Sequence, residues 1–120
     1  MAVRAIRGAT QVDADEREQV LAATRELVAE VLDRNGLTGE DLISILFTAT
    51  PDLVSEFPAL AARELGLGDV PLMCATEIAV PHALPRVLRL MAHVATDRPR
   101  AEIAHVYLRG AVALRKDIAQ

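Results

Sequence analysis

Arginine recurs in this chain inside apolar segments: Arg7 in V-R-A-I-R-G-A, Arg63 in F-P-A-L-A-A-R-E-L, Arg89 in R-V-L-R-L-M-A-H-V and Arg115 in V-A-L-R-K. A guanidinium is costly to desolvate unless an anion meets it, so the repeated placement points to a pocket for a small carboxylate or phosphate. Each arginine alone has an ordinary account, at a strand end or with its head snorkelled to water; the joint pattern carries the inference. Other chemistries find less support. His82, His93 and His105 are widely spaced and lack a near-neighbour ligand pair, so no metal is expected. Cys74, the single cysteine, has no glycine-rich elbow or adjacent base to make it a nucleophile. Gly66-Leu67-Gly68 precedes a strand instead of opening a helix, unlike a phosphate loop.

The elements that must position these arginines are readable from periodicity. Ala2 to Ala9 is short and partly β-branched, predicting a first strand with Val3, Ala5 and Arg7 on one face. From Asp13 the pattern turns helical, with Val20, Thr24, Leu27, Val28, Val31 and Leu32 at three- and four-residue spacing. Asp13 with Glu16 suggests a capping box at its start, and Asn35-Gly36 a stop. The run L-I-S-I-L-F-T-A-T, apolar on both faces, predicts a central strand ending at Pro51. Pro58 suits the first turn of a short helix that carries Arg63 and stops at Gly66. V-P-L-M-C-A reads as a third strand, and R-V-L-R-L-M-A-H-V as a fourth with Val87, Arg89, Met91 and His93 on one face. H-V-Y-L reads as a fifth, with His105 and Tyr107 on one face, a bulge at Gly110 and continuation into A-V-A-L-R. The expected fold is α+β, a five-stranded mixed β-sheet with one long and one short helix, as a single domain over residues 1–120.

Composition bounds the function class. Hydrophobic residues make up 52% of the chain, a surplus that an obligate oligomer would use. The net charge of -4 and the scarcity of aromatics (Phe47, Phe57, Tyr107) argue against a nucleic-acid partner. The amino end runs into charge too soon for a signal peptide, and Arg, His, Asp or Pro interrupts every apolar run. A cytoplasmic chain with no membrane partner is expected.

Together, R-A-I-R-G-A-T, T-A-T-P-D-L, F-P-A-L-A-A-R-E-L, V-P-L-M-C-A-T-E, V-L-R-L-M and H-V-Y-L-R-G-A-V-A-L-R resemble, in order and spacing, the monofunctional AroH-type chorismate mutases. The resemblance runs from Val3 to Asp117. It implies a homotrimer whose sheets form a pseudo-α/β barrel, with active sites in clefts between adjacent subunits. It also implies the pericyclic rearrangement of chorismate to prephenate at the head of phenylalanine and tyrosine synthesis, with no cofactor, metal or covalent intermediate.

By that match Arg89 would donate to the ether oxygen as negative charge grows on it, and Arg7 with Tyr107 would grip the side-chain carboxylate. Glu77 would accept from the ring hydroxyl, with the backbone or thiol of Cys74 as a further contact. Phe57, Ala59, Leu60, Leu72, Met73 and Leu114 would wall the pocket, partly from the neighbouring subunit, while Arg63 and Arg115 would lie near the ring carboxylate. Leu60 stands where some relatives carry a charged residue, and Lys116 replaces a proline common in the family. Without the resemblance, Glu77 reads as a solvated loop acid, Tyr107 as an edge tyrosine, and the histidines as satisfied sheet residues. Two other functions compete: a non-catalytic trimer that binds or senses an aromatic carboxylate, and a small imine or enamine hydrolase, which would need a positioned water and a general acid.

Overall fold

The computed structural model describes residues 1–114. Its strands are β1 (Ala2–Gln11), β2 (Leu42–Ala49), β3 (Leu72–Thr76), β4 (Val87–Thr96) and β5 (Val106–Tyr107), and its helices α1 (Arg17–Arg34) and α2 (Pro58–Ala62). The strands form one mixed sheet in the order β3-β2-β4-β1-β5. β4 pairs antiparallel with both β1 and β2, whereas β3 and β5 add in parallel at the edges. The expected class and helix complement are both present.

Strand alternation divides the sheet into unlike faces. Ile6, Ile45, Phe47, Leu90, Ala92 and Val94 turn to one side, where Leu27, Val28 and Val31 of α1 complete the core. On the other side Val3 is 61% exposed, Met73 66% and Met91 38%, and nothing among the described residues covers them. Apolar side chains lined up on an open sheet face mark an interaction surface more than a solvated one.

α1 begins three residues later than the capping pattern at Asp13 suggests. Glu16 occupies the cap position without a side-chain cap bond. Asp15 instead accepts from the backbone amides of Val54 and Ser55, which draws residues 13–16 toward the neighbouring loop. The reciprocal capping box is made at Thr38 and Asp41, where Asp41 Oδ2 accepts from the Thr38 amide at 2.8 Å. The stop at Asn35-Gly36 matches expectation: Gly36 takes φ 63°, and the Gly36 and Leu37 amides reach back to the carbonyls of Asp33 and Leu32. Asn35, 2% exposed, also bonds Ala104 in both directions through its amide, tying the end of α1 to the segment that leads into β5.

β5 corrects the expected long fifth strand. Only Val106 and Tyr107 pair, with Gly8 and Ala9, and the chain then coils into a 3-10 helix over Arg109–Leu114. Gly110 makes no bulge; it passes so close to the Gln11 side chain that a Cβ would collide with it. β1 runs only two residues beyond Ala9, so in this register nothing past Arg109 could pair with it.

Thr10 lies fully buried beneath α1 with its hydroxyl unbonded. Thr10→Val is therefore expected to stabilise the fold by about 1 kcal/mol, read as a higher denaturant midpoint at unchanged slope. A lowered midpoint would show that the hydroxyl is satisfied.

Candidate active site

Register places one row of side chains across the whole open face: Ala75 on β3, Thr48 on β2, Arg89 on β4, Ala9 on β1 and Tyr107 on β5. Arg89 is thus central in a five-stranded sheet, as the alternation in β4 predicts. Its Nε lies 3.1 Å from Glu77 Oε2, and the same oxygen accepts a 2.6 Å hydrogen bond from Thr48 Oγ1. Glu77 reaches this position because its own amide continues the β3 ladder, donating to Ala49 O at 2.9 Å. The Arg89 side chain is 45% exposed and that of Glu77 17%. Nε is committed to the acid, so the outer N–H groups of the guanidinium have no partner among the described residues and face the open side.

Thr48 is absent from the expected site residues, and so is the clamp that sets the start of β4. Asp52 accepts from the Arg86 amide at 3.0 and 3.2 Å, and the Val87 amide donates to Thr50 Oγ1. Arg86 takes φ 53° under this hold. The T-A-T-P-D-L motif therefore contributes twice, with Thr48 beside Arg89 and Thr50 with Asp52 fixing the depth of β4. Its only signal in the sequence is the even spacing of Thr48, Thr50 and Asp52, which acquires meaning once β2 is in register with β4.

Arg7 pairs in register with Met91, two residues along from Arg89, a diagonal of about 7–8 Å. Its amide donates to His105 Nδ1, and its guanidinium meets no anion among the described residues. It opens on a cleft of about 450 Å³ shared with Val3, Met91, His93, Arg100 and His105. Tyr107 stands beside it one strand over, 3% exposed and packed against Ala9, Ala111 and Leu114. His105 precedes β5 and bonds the Arg7 backbone, so the expected shared strand face of His105 and Tyr107 is replaced by this contact.

The remaining expected residues lie elsewhere. Phe57, 66% exposed, borders a cleft of about 360 Å³ at the β3 edge, which it shares with Thr48, Cys74, Ala75 and Thr76. Leu60 and exposed Arg63 lie on α2 and the wide turn after it. Ala59 is buried in the core and Leu72 packs against that core, so neither turns its side chain to the open face. Met73 does. Cys74 pairs in register with Phe47, so its thiol sits on the core side. In the parallel ladder the amide of Glu77 bonds β2, so by alternation the backbone groups of Cys74 and Thr76 point out from the sheet edge. Leu114 packs on Tyr107, and Arg115 lies outside the described residues. The described chain therefore joins Arg7, Thr48, Glu77, Arg89 and Tyr107 on one face, with Phe57 across the edge cleft from Thr48 and with Leu60 and Arg63 on α2 and the turn after it.

Electrostatics pin the loop that carries Phe57. The nearby Ser55 hydroxyl, which is buried without a well-formed hydrogen bond, and the Val54 amide lower the Asp15 carboxyl below its ordinary value of 3.8. The Phe57 amide and the Arg17 guanidinium, 2.9 Å away, lower Glu56 below 4.5. A depressed carboxyl stabilises the folded loop fully above its unfolded value and loses that effect as pH falls through the lower folded value. The Val54 and Phe57 amide resonances are expected to titrate with midpoints below 3.8 and 4.5 respectively; midpoints at or above those values would contradict the assigned contacts.

Among the described residues no group of three or more His, Cys, Asp or Glu could hold a metal ion, and no helix is long and apolar enough to cross a membrane.

Comparison with known proteins converges on one family. The model of the family described as chorismate mutase type I matches residues 3–118. Chorismate mutase AroH of Thermus thermophilus is 50% identical over 117 residues, which is 97% of this chain and 96% of that one. Chorismate mutase AroH of Bacillus subtilis (strain 168) is 42% identical over 120 residues, 99% and 94% of the two chains. A solved chorismate mutase from Clostridium thermocellum superposes with a TM-score of 0.90 at 46% identity, covering 92% of this chain and 98% of that one. With a family model spanning nearly the whole sequence and a fold to match, the chain belongs to the chorismate mutase type I family.

Proposed function

We propose that this chorismate mutase accelerates the rearrangement of chorismate to prephenate by fixing its substrate in a compact conformation and meeting the charge that separates on the way to product. The ether carbon–oxygen bond breaks ahead of carbon–carbon bond formation, so negative charge gathers on the ether oxygen and positive charge on the ring. Arg89 answers the first with its outer N–H groups. Glu77 answers the second and accepts from the ring hydroxyl, while Arg7 and Tyr107 hold the side-chain carboxylate. Cys74 adds a backbone contact from the sheet edge, and Arg63 and Arg115 attract the ring carboxylate. The electrons reorganise within one molecule, so the reaction calls for no cofactor.

The observation that carries this reading is the Arg89–Glu77 pair at the centre of an open sheet face, with the outer side of the guanidinium unpartnered among the described residues. The same face supports a homotrimer: Val3, Met73 and Met91 need cover, and a neighbouring subunit would bring Phe57, Leu60 and Arg63 to Arg7 and Arg89. The chain is assigned to the cytoplasm, among the enzymes of aromatic amino acid biosynthesis. The non-catalytic alternative finds no support in the family or in its named relatives.

The test is direct. Purified protein added to chorismate in the presence of a chelator should consume it well above the buffer rate, with prephenate as product. A rate equal to buffer would overturn the reading.

A further inference from the structure

Thr48 lies in the site without an obvious partner in the substrate. It is the register neighbour of Arg89 across β2 and β4, which brings the two Cβ atoms to about 4.5–5.5 Å. Its hydroxyl donates to Glu77 Oε2 at 2.6 Å, and Arg89 Nε stands 3.1 Å from that same oxygen. Glu77 Oε1 makes no hydrogen bond among the described residues. One carboxylate oxygen is thus engaged twice and the other is left to accept. The Glu77 backbone is fixed as well, through Ala49 O, so only the side-chain torsions remain to be set.

We propose that Thr48 is a positioning residue that holds the Glu77 carboxylate in its working rotamer, with Oε2 turned to Arg89 and Oε1 presented to the substrate. This rests on the assignment of Glu77 and Arg89 to the reaction. A hydroxyl is needed at position 48 because the facing groups divide the labour: Arg89 brings charge along one edge of the carboxylate, and Thr48 brings a short donor from the strand between β3 and β4. A β-branched side chain in a strand has few χ1 choices, so the donor is itself pre-aimed. Ion pairing to Arg89 alone would leave the acid able to swing with the arginine when the guanidinium tilts toward its ligand. With Thr48 in place, Arg89 can move to the developing charge while Glu77 stays.

Thr48→Val keeps shape and strand preference while removing the donor. It is expected to lower kcat by about tenfold, as loss of a hydrogen bond to a charged group implies, with KM within about twofold and an unchanged melting temperature. Thr48→Ser, which restores the hydroxyl, should return kcat to within about threefold of the parent. In a Glu77→Ala background, measured by single turnover at high enzyme concentration, Thr48→Val should have no further effect. Parent-like kcat in Thr48→Val, failure of serine to rescue, or the same loss in the Glu77→Ala background would each overturn the role of Thr48 while leaving the parent activity standing. An inactive parent protein would overturn the function and the positioning role together.

Discussion

Arg89→Lys is expected to lower kcat by about 100- to 1,000-fold while KM changes only a few-fold. The reason is geometric. In the proposed mechanism Arg89 serves two partners from different edges of one planar group: Nε lies 3.1 Å from Glu77, and the outer nitrogens are left for the ether oxygen. A lysine ammonium is a single point charge; drawn to the Glu77 carboxylate, it has no second edge to offer the ether oxygen. Charge is conserved, so attraction of a dianionic substrate persists and ground-state binding is largely spared. The side chain is 45% exposed, so the melting temperature should hardly move. Steady-state kinetics with chorismate decide the matter: an unchanged kcat would remove Arg89 from the transition state.

Mixing two inactive chains is expected to restore activity. One variant, Arg89→Ala, loses the half of the site at the centre of the sheet; the other, Phe57→Ala with Arg63→Ala, loses the half beyond the β3 edge. Within the described chain Phe57 borders the edge cleft beside Thr48 and Ala75, Arg63 stands exposed after α2, and Arg89 lies two strands in from that edge. If each site takes one half from each of two adjacent subunits, co-refolding equal amounts gives intact sites at about one quarter of positions, since both contributors must carry the undamaged half. Recovery to about a quarter of parent activity, from two near-zero starting points, is the expected result. Activity that stays at the mean of the two variants would show that a single chain builds its own site.

Much of the working face is legible in the residue pattern. Period-two alternation puts Arg7 with Val3 and Arg89 with Met91, and a strand side chain has only two directions to choose from. The interior position of β2, between β3 and β4, follows from apolar residues on both faces, and the stop of α1 from Asn35-Gly36, because these signals lie within a few residues of the structure they specify. Other features escape. Asp13 with Glu16 has the letters of a capping box, yet Asp15 is drawn to amides at Val54 and Ser55. Gly110 reads as a bulge and serves as a close passage over Gln11. Cys74 turns its thiol to the core, because it pairs in register with Phe47.

By itself the sequence determined the class of the fold, the ligand chemistry implied by arginines in apolar segments, and, through its resemblance to a family, the reaction. Tertiary structure decided which groups meet. Glu77 and Thr48 become partners of Arg89 only when β2, β3 and β4 settle into one register. A shift of a single residue would turn Thr48 to the core and leave Glu77 unanswered. Residue type and local spacing are written along the chain, but register is a property of strands brought together across long loops, and the site exists only at that level.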